Sequence, residues 1–180
     1  MRIFRYDDLP GGRQSREEQY AFALKQWIVQ TWKQLLFPLD RRQLPYLPGI
    51  YALNGRFNPC HLNLPLLYYQ GDWTVEKGLP AWITTEQKQK EFSTFLYIGS
   101  TGHLYSRWQR HEKRLPAEHL FNNGVGIDFY YYTTAPPMET SYVDSKEQKK
   151  SREDVEGKLI RYLCPIFGDW QRWGTWCNRW

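Results

Sequence analysis

Cysteine is scarce and scattered in this chain of 180 residues. Cys60, Cys164 and Cys177 are odd in number and far apart, and no Cys-x-x-Cys pair occurs. That pattern indicates neither a disulfide framework nor a zinc knuckle. Cys60-His61 reads as a pair of loop residues, a metal-ligating role requiring partners that are not evident. Long apolar runs are absent too, and nothing approaches the length of a membrane span. The opening Met1-Arg-Ile-Phe-Arg-Tyr-Asp-Asp lacks the apolar segment of a signal peptide. The expectation is a soluble cytoplasmic protein with no membrane partner. Also missing are a zinc finger, a helix-turn-helix or another recognition module, and any second domain that would locate a target.

What is present suffices for one core. The chain is 41% hydrophobic and 17% aromatic, and its length fits one domain better than two. The net charge of +5 and a pI of about 9.1 are compatible with an anionic partner, although an excess this modest also serves solubility alone.

Along the chain, Ser15-Arg-Glu-Glu18 resembles a capping box, and Tyr20, Leu24, Trp27, Ile28, Trp32, Leu35 and Leu36 follow at helical spacing until Pro38. This predicts an amphipathic helix covering one face of the core. Basic residues do not dominate its polar side, which argues against membrane binding. Residues 38–48 carry Arg41-Arg42 and three prolines and read as a loop.

Phe95 to Ile98 has the aromatic and β-branched character of a buried strand. Ser100-Thr-Gly then offers a helix start, Leu104, Trp108 and Leu115 mark an apolar stripe, and Pro116 stops the helix. Arg107 and His111 stand four apart, one helical turn from each other. A guanidinium and an imidazole that converge on one point suit a phosphate. Ile127 to Thr133 alternates as a further strand. Residues 135–150 read as an exposed loop, and Ser151-Arg-Glu-Asp154 as another helix start. In that helix Glu156, Leu159, Ile160 and Leu163 share one apolar face, which places a carboxylate where burial is costly without a cation or donor. An ion pair with Arg107, a position at the rim, or a bound metal would each meet that cost.

Gly49-Ile-Tyr51 followed by Tyr97-Ile-Gly99 resembles the GIY-YIG nuclease family, and the likeness extends to Arg107, His111 and Glu156-Gly-Lys-Leu-Ile-Arg-Tyr-Leu-Cys-Pro165 in the same order. It covers roughly residues 48–170 of a single domain spanning 1–180, with residues 1–47 as an N-terminal helical extension. The resemblance implies an α+β fold with a small, mainly antiparallel, three-stranded central sheet flanked by helices. It implies hydrolysis of DNA phosphodiester bonds with one divalent cation, Mg²⁺ or Mn²⁺, on Glu156. Arg107 would stabilise charge on the scissile phosphate, and Tyr51 is the family's candidate general base, with Tyr97 hydrogen-bonding in the same pocket. His111 would orient the base or carry its proton. Tyrosine is a poor base at its usual pKa of about 10, so it must be depressed or act through hydrogen bonding.

Two departures stand out. Residues 52–93 form a long insertion between the two tripeptide strands, in which Pro65 to Tyr69 reads as an extra strand, Gly71-Asp-Trp as a turn and 84–91 as a polar helix or loop. After Pro165 the family often has an asparagine where this chain has Gly168, with Asp169 and Asn178 as minor candidates to substitute for it. Arg110, Lys113 and Arg114 are weak candidates for phosphate contact, since charge runs are usually solvated faces. The terminal segment from Trp170 to Trp180 is dense in tryptophan and arginine, which suits packing onto the domain better than base stacking. Target sequence and the choice among duplex, branched DNA and RNA stay open. An inactive nucleic-acid-binding domain of the same fold and a protein-interaction domain are the alternatives.

Overall fold

In a computed structural model, residues 12–61, 64, 66–70, 73–77, 90–112, 117–134 and 145–167 are described. The helical spacing after Gly12 builds α1, Arg13–Thr31, and the chain then turns because Trp32 adopts an extended backbone. Strand β1, Lys33–Leu36, follows at once. Next come β2 (Gly49–Phe57), β3 (Leu66–Gln70), β4 (Trp73–Lys77), β5 (Phe92–Thr101), α2 (Leu104–Glu112), α3 (Ala117–Asn122), β6 (Gly126–Thr133) and α4 (Lys146–Leu163).

The α+β expectation holds, but the central sheet has four antiparallel strands, in the order β1-β6-β2-β5. The added strand is β1, whose Leu35 and Leu36 fit the helical spacing that runs through α1. Pairing decides otherwise. Lys33 to Leu36 satisfies the open edge of β6 by lying against Tyr131 to Asp128. A separate two-stranded sheet joins β3 and β4, which includes the extra strand expected near Tyr69.

The two tripeptides lie side by side. Gly49 pairs with Thr101, Ile50 with Ser100 and Tyr51 with Gly99, and the ladder continues to Phe57 against Phe92. Both strands extend past their motifs, so the segment that joins them, within the expected 52–93, lies between Phe57 and Phe92. One irregularity interrupts the ladder: Leu53 pairs with Tyr97 and Asn54 with Phe95, leaving Leu96 as an extra residue. The bulge turns both Leu96 and Tyr97 to one face while Phe95 and Ile98 point to the other.

Each face of the sheet carries its own core. On one side Tyr51, Leu53, Phe57, Leu96 and Phe129 pack under Leu104 and Trp108 of α2 and Leu120 of α3. On the other, Ile50, Ala52, Phe95, Ile98 and Tyr130 meet Leu24 and Ile28 of α1 and Leu159 and Ile160 of α4. Past α4, the amides of Ile166 and Phe167 donate to the carbonyls of Phe95 and Leu96, covering part of the β5 edge.

Local details differ from the sequence reading in three places. Helix α1 starts at Arg13, ahead of the expected box, and the Ser15 hydroxyl accepts from Gln19 instead. Helix α4 starts at Lys146 rather than after Ser151, because Ser145 and Gln148 form the reciprocal capping box there. Residues 146–150, taken as loop, are its first turns. At the other end Cys164 takes a left-handed conformation, φ 48°, and closes α4. Cys164 is disulfide-bonded and Cys60 is an exposed free thiol. Spacing along the chain had argued against bridging, but it does not report distance in space. The Thr84 to Gln89 stretch and the Trp-rich C-terminus lie outside the described residues.

Replacing Ser145 by alanine removes the hydroxyl that caps α4. Stability should fall by about 0.5–2 kcal/mol in urea denaturation, with the slope of the transition unchanged.

Candidate active site

Strands β2 and β5 and helix α2 bring three of the expected residues into contact. Tyr51 is 1% exposed, its ring stacked on Phe129 and close to parallel with Tyr97. Arg107 reaches back from α2 and its Nε donates to the Tyr51 hydroxyl at 3.2 Å. Tyr97 hydrogen-bonds in the same group, to both Tyr51 and Arg107.

The glycines of both tripeptides are required by close approach. A Cβ on Gly99 would stand 2.8 Å from the Tyr51 hydroxyl and 2.8 Å from a Tyr97 ring carbon. A Cβ on Gly49 would stand 2.6 Å from the backbone carbonyl of Tyr132 and 2.8 Å from Leu104. Gly99 thus lets the Tyr51 ring cross the neighbouring strand, and Gly49 lets α2 and β6 close on β2.

Burial pushes the Tyr51 pKa well above its ordinary value, the nearby Tyr97 adds to this, and Arg107 opposes it without reversing it. Tyr51 is therefore a protonated phenol at neutral pH. For Arg107, burial acts to weaken protonation, and the interactions with Tyr51 and Tyr97 outweigh it, so the guanidinium stays charged. The arrangement holds a cation in a fixed orientation.

Glu156 arrives from α4, on the opposite side of the sheet. Ser100, the residue after Gly99, donates to its Oε2 at 2.5 Å. Burial raises the Glu156 pKa, the Ser100 hydroxyl and backbone bonds oppose this, Glu153 adds to it, and Arg107 opposes it. Glu156 is half-buried, as its position on the apolar face of α4 requires. No described cation lies within ion-pair distance of it, so the ion pair with Arg107 is not formed; Arg107 acts on it only at longer range.

The Ser100 to Gly102 turn and the first turn of α2 enclose a cavity of about 270 Å³, lined by Ser100, Thr101, Gly102, His103, Ser106 and Arg107. Thr101 Oγ1 accepts from the His103 amide at 3.1 Å, which fixes the turn. The first amides of α2 are not available to a ligand: Leu104 donates to the Leu47 carbonyl and Tyr105 to that of Pro45. Positive charge in the cavity comes from Arg107. The sequence reading had taken Ser100 to Gly102 only as a helix start, and Ser100 as partner of Glu156, with His103 and Ser106 as lining, was missed. The one available signal was their place directly after the second tripeptide.

His111 and Arg110 lie on α2, with His111 one turn beyond Arg107, but only their backbone is described. Lys113, Arg114, Gly168, Asp169 and Asn178 fall outside the described residues. Among the described residues, no three His, Cys, Asp or Glu side chains cluster to hold a metal. The donor chemistry nonetheless suits a hard cation held by one carboxylate. Glu156 is desolvated and lacks a cationic partner, its second oxygen accepts no bond from a described side chain, and Mg²⁺ keeps several waters rather than filling a protein cage.

Comparison of the chain with protein-family models, with curated proteins and with solved structures returns no match.

Two outcomes follow from this geometry. Gly99→Ala should destabilise the protein by about 1–3 kcal/mol in denaturant titration, since the Tyr51 ring is too confined to move aside. Glu156→Gln keeps the acceptor for Ser100 and removes a charge that the fold disfavours. With the folded pKa above 4.5, the native state holds its proton longer than the unfolded chain, so wild-type stability falls as pH rises from 4.5 through the folded value. The Gln variant should melt higher than wild type near pH 7, and the two curves should converge below about pH 4.5.

Proposed function

We propose that the protein is a metal-dependent endonuclease that hydrolyses DNA phosphodiester bonds through a GIY-YIG-type site. In this reading β2, β5 and β6 are the three-stranded core of that fold, and β1 is an additional strand on the β6 edge. The observation that carries it is the Arg107 guanidinium, held by the Tyr51 hydroxyl beside Gly99 and facing a cavity whose Ser100 rim also holds Glu156. Tyr51 of β2 bonds Arg107 of α2 directly, and Glu156 of α4 approaches Ser100 from the other side of the sheet, in the order that the resemblance implies.

The residues divide the work as follows. Arg107 binds the scissile phosphate and stabilises the charge that develops on it. Tyr51, protonated and buried, orients Arg107 through its hydroxyl rather than accepting a proton, which replaces the general-base role expected for it. Tyr97 completes that hydrogen-bonded group. Glu156 would hold Mg²⁺ or Mn²⁺, which supplies Lewis acidity and lowers the pKa of a bound water. Ser100 fixes the carboxylate. His111, one turn along α2, is the proposed carrier of the proton. The buried state of Tyr51 also favours a second reading, a nucleic-acid-binding domain of the same fold without turnover.

Cleavage of supercoiled plasmid and of branched DNA with Mg²⁺ or Mn²⁺ separates the two. Wild type should cut, Arg107→Ala should slow cutting on the order of 10²- to 10³-fold, and Glu156→Gln should reduce it to background while binding persists. Binding by wild type with no cutting under either metal would reject the nuclease and leave the binding domain.

A further inference from the structure

His103 is exposed, yet its backbone is fixed on both sides. Its amide donates to Thr101 Oγ1 at 3.1 Å, and its carbonyl accepts from the Thr101 hydroxyl at 3.1 Å and from the Arg107 amide at 3.0 Å. These bonds set the direction in which the side chain leaves the backbone. The last of them also closes the first turn of α2, so His103 and Arg107 stand one helical turn apart. Both line the cavity of about 270 Å³.

An anion is the ligand that this wall of the cavity fits. The Arg107 Nε is spent on Tyr51, but a guanidinium has further N–H donors on its terminal nitrogens. The other ionisable groups nearby are already engaged: Glu156 is bonded by Ser100, Asp40 meets Arg42 at 3.8 Å on the turn packed against α2, and Tyr51 and Tyr97 bond Arg107. Among the described residues no carboxylate pairs with the His103 imidazole and no side chain hydrogen-bonds it. Histidine ordinarily titrates at about 6.5, and in its protonated form both ring nitrogens donate. A charge gained there is open to a bound anion.

We propose that His103 is a second contact to the phosphate bound at Arg107, its protonated imidazole donating to a phosphate oxygen that the guanidinium leaves open. This rests on the nucleic-acid reading above, and it adds that the grip on the backbone tightens as pH falls below neutrality. Such a contact is independent of base sequence, since it meets only phosphate.

The test is fluorescence anisotropy of dT12 carrying a pH-insensitive label, in EDTA so that the probe stays intact, over a salt series at about pH 5.5 and about pH 8. At the lower pH His103→Ala should bind on the order of tenfold more weakly than wild type, and its plot of log affinity against log salt should be shallower by about 0.7, the value for one phosphate contact on a single strand. At the higher pH the loss should shrink to about twofold and the slopes should agree. In an Arg107→Ala background the same substitution should cost about twofold at either pH, because the two side chains share one phosphate. Circular dichroism and melting of the variants serve as the folding control. Equal affinity and slope for His103→Ala and wild type at the lower pH, with Arg107→Ala weakened, overturns the contact and leaves the phosphate site standing. A loss of equal size at both pH values also overturns it, since the imidazole then acts without its charge. So does a loss undiminished in the Arg107→Ala background, which would place His103 on a different phosphate. Failure of wild type to bind dT12 overturns the contact together with the nucleic-acid reading.

Discussion

The structure depends on how closely two strands approach around one tyrosine ring. Tyr51 leaves β2 and crosses the backbone of β5 at Gly99, where no side chain stands in its way. That crossing sets the distance from the ring to Tyr97, presents the hydroxyl to Arg107, and fixes α2 over this face of the sheet. Gly49 performs the equivalent service two register steps away by admitting Leu104 and the Tyr132 carbonyl. The two glycines are therefore steric requirements of the site and of the core at once.

The electrostatics follow from that packing. A ring buried this deeply keeps its proton, and the guanidinium beside it keeps its charge because two phenols surround it. Glu156 approaches from the opposite layer and is desolvated without a cationic partner, so the region combines a fixed cation with an under-compensated anion. Such a pairing of fixed charges is costly for stability. Tyr97 alternates with Gly99 and so shares the Tyr51 face, and the bulge at Leu96 sends Phe95 to the opposite core.

Much of the fold was legible in residue patterns. The helical spacing from Tyr20 to Trp32, the β-rich runs at 95–98 and 127–133, and the apolar face bearing Glu156 each produced an element of the expected type. Boundaries were less legible where two patterns overlap. Leu35 and Leu36 satisfy both a helical stripe and a short strand, and the open edge of β6 selects the strand. Ser145 and Ser151 both open a capping-box pattern, and the reciprocal bonds form at the first.

For the site, the sequence by itself determined which side chains were eligible. Tyrosine, arginine and glutamate were singled out by type, order and local spacing, and those properties are written along the chain. It also carries glycine at 49 and 99, and only the fold shows that a Cβ there would clash. What the tertiary structure decided was proximity and protonation. Ser100 meeting Glu156, Arg107 donating to Tyr51, and the raised pKa of the buried Tyr51 phenol all depend on contacts made by the packed fold, the first two between residues 56 apart in sequence. Burial and distance between such residues are properties of the packed fold, and no local pattern encodes them.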